Sequence, residues 1–165
     1  MALAIVLPLA AALLQGTVVP SMTVADARPN LVTLAAASWA VAAGPREAVW
    51  WAFLGGLAAD LLSGGPLGAL ALAGLLPVAL AGMGDQQLRP RSVLAGALIV
   101  ALASAATSVL YYVILAIVGA SLPDAGRLVA LTISGAAYNG VLAIATYPLC
   151  RALHRSTEKQ ASFGW

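Results

Sequence analysis

Asp60 is the acidic residue of this sequence that lies well inside an apolar run, Ala48 to Leu62. An ionised carboxylate in hydrocarbon is costly, so such a side chain faces a protein interior or water. Ala52, Gly56, Asp60 and Ser63 recur at helical spacing and share one face made of small residues. Trp50, Phe53, Leu57 and Leu61 make the bulky opposite face. A small face lets another helix approach closely. Asp60 reads either as a ligand or proton site or as a structural pair. We expect the structural pair, because no second intramembrane acid accompanies it. Its expected partners are Arg28 or Arg127, or backbone amides near the 63–66 turn.

Other reactive residues are sparse. A lone aspartate cannot form the two-carboxylate dyad of an aspartic protease. His154 is the single histidine and falls in the polar tail. Cys150 is the single cysteine, so no internal disulfide forms, and no cysteine or histidine cluster surrounds it. Gly64-Gly65-Pro66-Leu67-Gly68 lacks the lysine and the serine or threonine of a phosphate loop. Neither His-Glu-x-x-His nor Gly-x-Ser-x-Gly occurs. No enzyme activity, metal or cofactor is therefore expected. A net charge of +2 is too small to point to nucleic acid.

The elements that carry these residues belong in a membrane. Of 165 residues 62% are hydrophobic and only 8% are charged, and the mean hydropathy is +0.97. A soluble fold of this size could not hide so much apolar surface. Breaks at Ala25–Asn30, Gly44–Glu47, Ser63–Pro66, Gly84–Arg91 and Pro123–Arg127 divide the chain into six apolar runs. The runs lack the alternation of a membrane barrel and are rich in alanine, leucine and glycine, as packed membrane helices are. The expected fold is therefore all-α, a polytopic membrane bundle of six transmembrane helices over residues 1–150, with a polar cytoplasmic tail at 151–165. The second and third runs are short for full spans. A re-entrant hairpin there would put Arg46 near the bilayer centre, so two short spans are preferred. The first run lacks a basic start and is too long for a signal peptide, so it is kept as a helix.

Basic residues set the orientation. With the N-terminus inside, Arg46, Arg89, Arg91, Arg151, Arg155 and Lys159 lie on the inner side, against Arg28 and Arg127 outside. Both termini are thus expected in the cytoplasm of a bacterial-type inner membrane. Trp39, Trp50 and Trp51 bracket the second break and read as an interfacial aromatic belt. Ala97, Ala101 and Ala105, with Ser104 and Ser108 beside them, and Ala136 and Gly140 read as internal packing faces, with Asn139 as an interhelical donor. Tyr111 and Tyr112 are expected to face the bundle.

Four segments resemble the rod shape-determining MreD family. They are Arg28-Pro29-Asn30-Leu31 at the entry to the second helix, Gly55 to Gly64 with its Gly56-to-Asp60 spacing, Pro66-Leu67-Gly68-Ala69, and Asn139 with Tyr147-Pro148 before a basic tail. Asn30 departs from the family's commoner acidic residue. The resemblance implies a non-enzymatic membrane scaffold that binds the single-span protein MreC, in contact with membrane lipid. Through MreC it would link MreB filaments and peptidoglycan synthases. Asp60, Gly56, Arg28, Pro29, Arg127 and Asn139 are its structural or partner-binding candidates. The family is also similar in structure to substrate-binding subunits of energy-coupling-factor vitamin transporters, which supply the alternative function. Against that alternative, the first helix has no two alanines four apart, and the outer face shows few ligand-holding polar residues.

Overall fold

The computed structural model describes residues 2–19, 28–83 and 92–162. The loop 84–91 with Arg89 and Arg91, and the part of the first break from Ala25 to Ala27, with Asp26, lie outside them. Six helices follow in order: α1 (Ala2–Thr17), α2 (Leu31–Ala43), α3 (Pro45–Ser63), α4 (Ala69–Gly82), α5 (Val93–Ile117) and α6 (Ala125–Ser162). No strand occurs among the described residues. By length and composition, α5 and α6 are long and apolar enough to cross a membrane.

Local chemistry explains the helix ends. Pro29 precedes the α2 N-cap Asn30, whose Oδ1 accepts from Thr33 N at 3.0 Å. A single residue, Gly44, joins α2 to α3; its φ of 105° is open to glycine at no steric cost. Pro45 then opens α3, where its missing N–H is no loss. Asp124 Oδ1 accepts from Arg127 N at 3.0 Å and so begins α6. That helix does not stop at Cys150 but continues through the polar tail to Ser162.

The short helix α2 is the centre of the bundle. It packs against all five others, and α1, α3, α4, α5 and α6 follow one another around it. The ring is open at one place, because among the described residues α1 and α6 make no contact. Glycines set the closest crossings. A Cβ at Gly55 would sit 2.9 Å from Val32 and 3.3 Å from Pro8, so α1, α2 and α3 meet there. A Cβ at Gly96 would lie 2.6 Å from the Tyr147 ring, which locks α5 against α6. Ala101 faces Gly140 across the same pair, at 3.1 Å from where a Cβ would be. The small residues of α5 and α6 thus serve internal packing.

The tryptophans differ from the expected belt. Trp39 and Trp51 are 6% and 3% exposed and stack at 4.6 Å inside the main core. Trp39 Nε1 donates to Glu47 Oε2 at 3.1 Å. Of these three, only Trp50, 61% exposed, is placed as an anchor would be. On a helix, residues 50 and 51 point about 100° apart, so one joins the core when the other leaves it.

Candidate functional site

Two polar joints and the cavity between them hold most of the candidate residues. The first joint links α3 to α4. Asp60, 3% exposed, accepts from Leu70 N through both carboxylate oxygens, at 3.2 and 3.0 Å, and from Ala71 N at 3.5 Å. These are among the first amides of α4, which have no partner within their own helix. A carboxylate there also suits the positive end of the helix dipole. One turn earlier on the same face, a Cβ on Gly56 would lie 2.6 Å from Ala71 Cα and 2.7 Å from Ala71 N. Gly56 therefore gives the backbone of α4 the space to reach Asp60. The expected face of Ala52, Gly56 and Asp60 is buried, whereas Ser63 at its end is exposed.

Among the described residues, the hydrogen bonds that the Asp60 carboxylate accepts come from amides, and from later in the chain than the 63–66 turn. That turn binds Asp60 differently: Ser63 Oγ donates to the Asp60 carbonyl at 3.1 Å. Arg28 is exposed at the edge of the cavity described below, and Arg127 is exposed on the first turn of α6. An acceptor at a helix start one turn beyond a glycine explains the burial of Asp60 without an arginine.

The second joint holds the start of α2. Asn139 on α6 is 1% exposed. Its Oδ1 accepts from Asn30 N at 3.1 Å, and its Nδ2 donates to Asn30 O at 3.1 Å. The same Nδ2 donates to Ser104 Oγ on α5 at 2.9 Å. Gln15 on α1 accepts from Leu31 N through Oε1 at 2.6 Å. Side chains from α1 and α6, with Asn30 itself, thus satisfy the first amides of α2, as a helix end away from water requires. Pro29 is fully buried beside them. Gln15 was not among the expected site residues. Its signal was its polarity, an amide within the 25 uncharged residues that open the chain.

Above this joint lies a cavity of about 540 Å³. Because α2 starts level with Ser104, α5 continues beyond it through residues 105–117, about 20 Å of helix at ~1.5 Å per residue. The space left above α2 is lined by both Arg28 and Asp60, together with Gln15, Ser108, Tyr111 and Tyr112. The cavity gathers polar residues that the sequence did not show to be neighbours. That pattern was hidden because the polar residues come from α1, α3, α5 and the segment before α2, far apart in the sequence. Tyr111 and Tyr112, both half-buried, line this cavity, and Tyr112 also borders a groove between α5 and α6.

A family model described as rod shape-determining protein MreD matches residues 1–157. The chain belongs to the MreD family. The match takes in both joints and nearly the whole bundle. No curated protein and no solved structure matches the chain. Membership makes this a membrane protein whose role is in rod-shape determination. In this MreD chain, the Gly56-to-Asp60 spacing and Asn139 both fall on helix joints.

Proposed function

We propose that this MreD-family chain is a non-enzymatic scaffold of side-wall elongation. It holds an MreC-type single-span protein in the membrane and so couples MreB filaments to peptidoglycan synthases. The observation that carries the reading is the family match over residues 1–157. The two joints support it, since Asp60 and Asn139 are committed to fixing one helix on another. No comparison supports the transporter-subunit alternative. In the proposed topology the six helices cross in alternating directions, with both termini in the cytoplasm and the cavity opening outward. The split of basic residues supports this orientation.

Depletion in a rod-shaped host is expected to round the cells, and the tagged protein is expected to retain an MreC-type partner in mild detergent. Normal shape on depletion and no such partner would overturn the proposal. Topology has its own test in a Cys150→Ala background. Cysteine probes at Asp26, Gly65 and Asp124 should label from outside, and probes at Glu47, Gln86 and Glu158 should not. Labelling of positions 47 and 65 from the same side would refute six alternating crossings.

A further inference from the structure

We infer that the cavity above α2 holds the headgroup of a zwitterionic phospholipid of the phosphoethanolamine type, whose acyl chains pass through the gap between α1 and α6. Among the described residues, the ring of helices does not seal the cavity. Gln15 and Gly16 of α1 and Leu131, Gly135 and Asn139 of α6 line it from the two sides of that gap. A polar chamber that opens sideways onto hydrocarbon is unfavourable unless something polar fills it. Its volume of about 540 Å³ lies within the ~300–1,000 Å³ of small-molecule sites.

The lining specifies the charge of the occupant. Arg28 supplies a cation, and among the described residues its guanidinium has no hydrogen-bond or ion-pair partner. Arginine suits phosphate through paired N–H donors. Asp60 supplies an anion on the α3 wall of the same cavity, and a carboxylate's two oxygens offer more acceptor sites than the amides of Leu70 and Ala71 fill. An ammonium group matches that wall. The hydroxyls of Ser108, Tyr111 and Tyr112 can bond the phosphate and ester oxygens between them. A purely anionic headgroup would leave Asp60 facing a like charge. Towards the bilayer centre the flanks become apolar. Leu7 and Ala11 continue the Gln15 face down α1 at four-residue spacing, and Leu142 continues the Gly135 face down α6. Acyl chains fit these flanks in the direction that a bilayer lipid points.

The inference needs only the membrane setting of the family and is independent of the MreC reading, because its readout is lipid on the purified chain. The full chain in mild detergent is offered equal phosphatidylethanolamine and phosphatidylglycerol, and bound lipid is counted by native mass spectrometry. One phosphatidylethanolamine per chain is expected, several-fold preferred. Arg28→Gln should lower its retention about tenfold. Gly135→Phe should block entry; a Cβ there meets nothing nearer than the Arg28 carbonyl at 3.8 Å, so the backbone has room for a side chain. Asp60 is left intact because it pins α4. A second readout covers a variant that fails to fold: maleimide labelling of Ser108→Cys in a Cys150→Ala background, in nanodiscs. Labelling should be several-fold slower in phosphatidylethanolamine than in phosphatidylglycerol. Equal retention of both lipids, preference for phosphatidylglycerol, or labelling that ignores the lipid would each overturn the inference, and leave water or a protein segment as the occupant.

Discussion

Replacing Asp60 with alanine removes the acceptor for two backbone amides at the start of α4. A buried amide left without a partner costs about 1–3 kcal/mol, so two give about 2–6 kcal/mol. Asp60 and Leu70 both border the cavity, and water entering it can take over part of the lost bonding, so the lower half applies, about 2–4 kcal/mol. Asp60→Asn keeps an amide oxygen for the Leu70 N–H. It loses mainly the charge at the helix dipole, at about 0.3–1 kcal/mol and up to ~2 kcal/mol in partly buried settings. The expected order of stability is therefore wild type, then Asn, then Ala, with Asn closer to wild type. Equilibrium unfolding in mixed micelles, titrated with a denaturing detergent, measures both differences. A partnership with arginine predicts a different pattern: Asn would be nearly as damaging as Ala, and the pair Asp60→Arg with Arg28→Asp would recover stability. We expect no recovery from that exchange. If Asp60→Ala unfolds at the same detergent fraction as wild type, or if the charge exchange restores it, the amide-capping account is wrong.

Gly56→Ala places a methyl group against the backbone of Ala71 and should destabilise by about 1–3 kcal/mol. Combined with Asp60→Ala, its cost should be less than additive, since both act on the same joint; strict additivity in a double-mutant cycle would separate them. Asn139→Leu removes three hydrogen bonds, at an average of ~0.6 kcal/mol each within membranes, so a loss of about 2 kcal/mol is expected. Ser104→Ala should cost under ~1 kcal/mol, because it removes one of the three. Gly96→Ala forces the Tyr147 ring aside and should lower the melting temperature in detergent, whereas Gly135→Ala, with open space around it, should not.

The helices were legible because apolar runs broken by glycine and proline mark separate helices whatever the packing between them. The inward face of α3 was legible too, since Ala52, Gly56 and Asp60 carry their small size at helical spacing. The partner of Asp60 was not. Charge invites pairing with charge, but a helix start supplies amides without any side chain to betray them. The tryptophans failed for a related reason. Composition places tryptophan at an interface on average, whereas the burial of Trp39 and Trp51 depends on their stacking across the Gly44 joint. The cavity was invisible for a third reason, because its depth is set by where α2 starts relative to α5.

That depth has a physical cause. At 13 residues and ~1.5 Å per residue, α2 is about 20 Å long, well short of the ~30 Å hydrocarbon core. Hydrophobic length therefore cannot fix its height in the bundle, because it fits at several heights. Its ends have to do so. At one end the Gly44–Pro45 link leaves no slack, and the backbone of Gly44 and Pro45 packs so closely on Gly82 of α4 that a Cβ there would lie 2.7 Å from Pro45 N. At the other end Gln15, Asn30 and Asn139 close around the first amides. Moving α2 by one turn, about 5.4 Å, would break the bonds to Gln15 and Asn139 at once. The polar residues of this apolar chain thus act as height markers, and the space above α2 follows from where they hold it. It follows that Asn139→Leu, by releasing the upper end, should alter access to the cavity as well as stability. Labelling of Ser108→Cys in the Asn139→Leu background is expected to change rate, and an unchanged rate would mean that α2 is held from its Gly44 end alone.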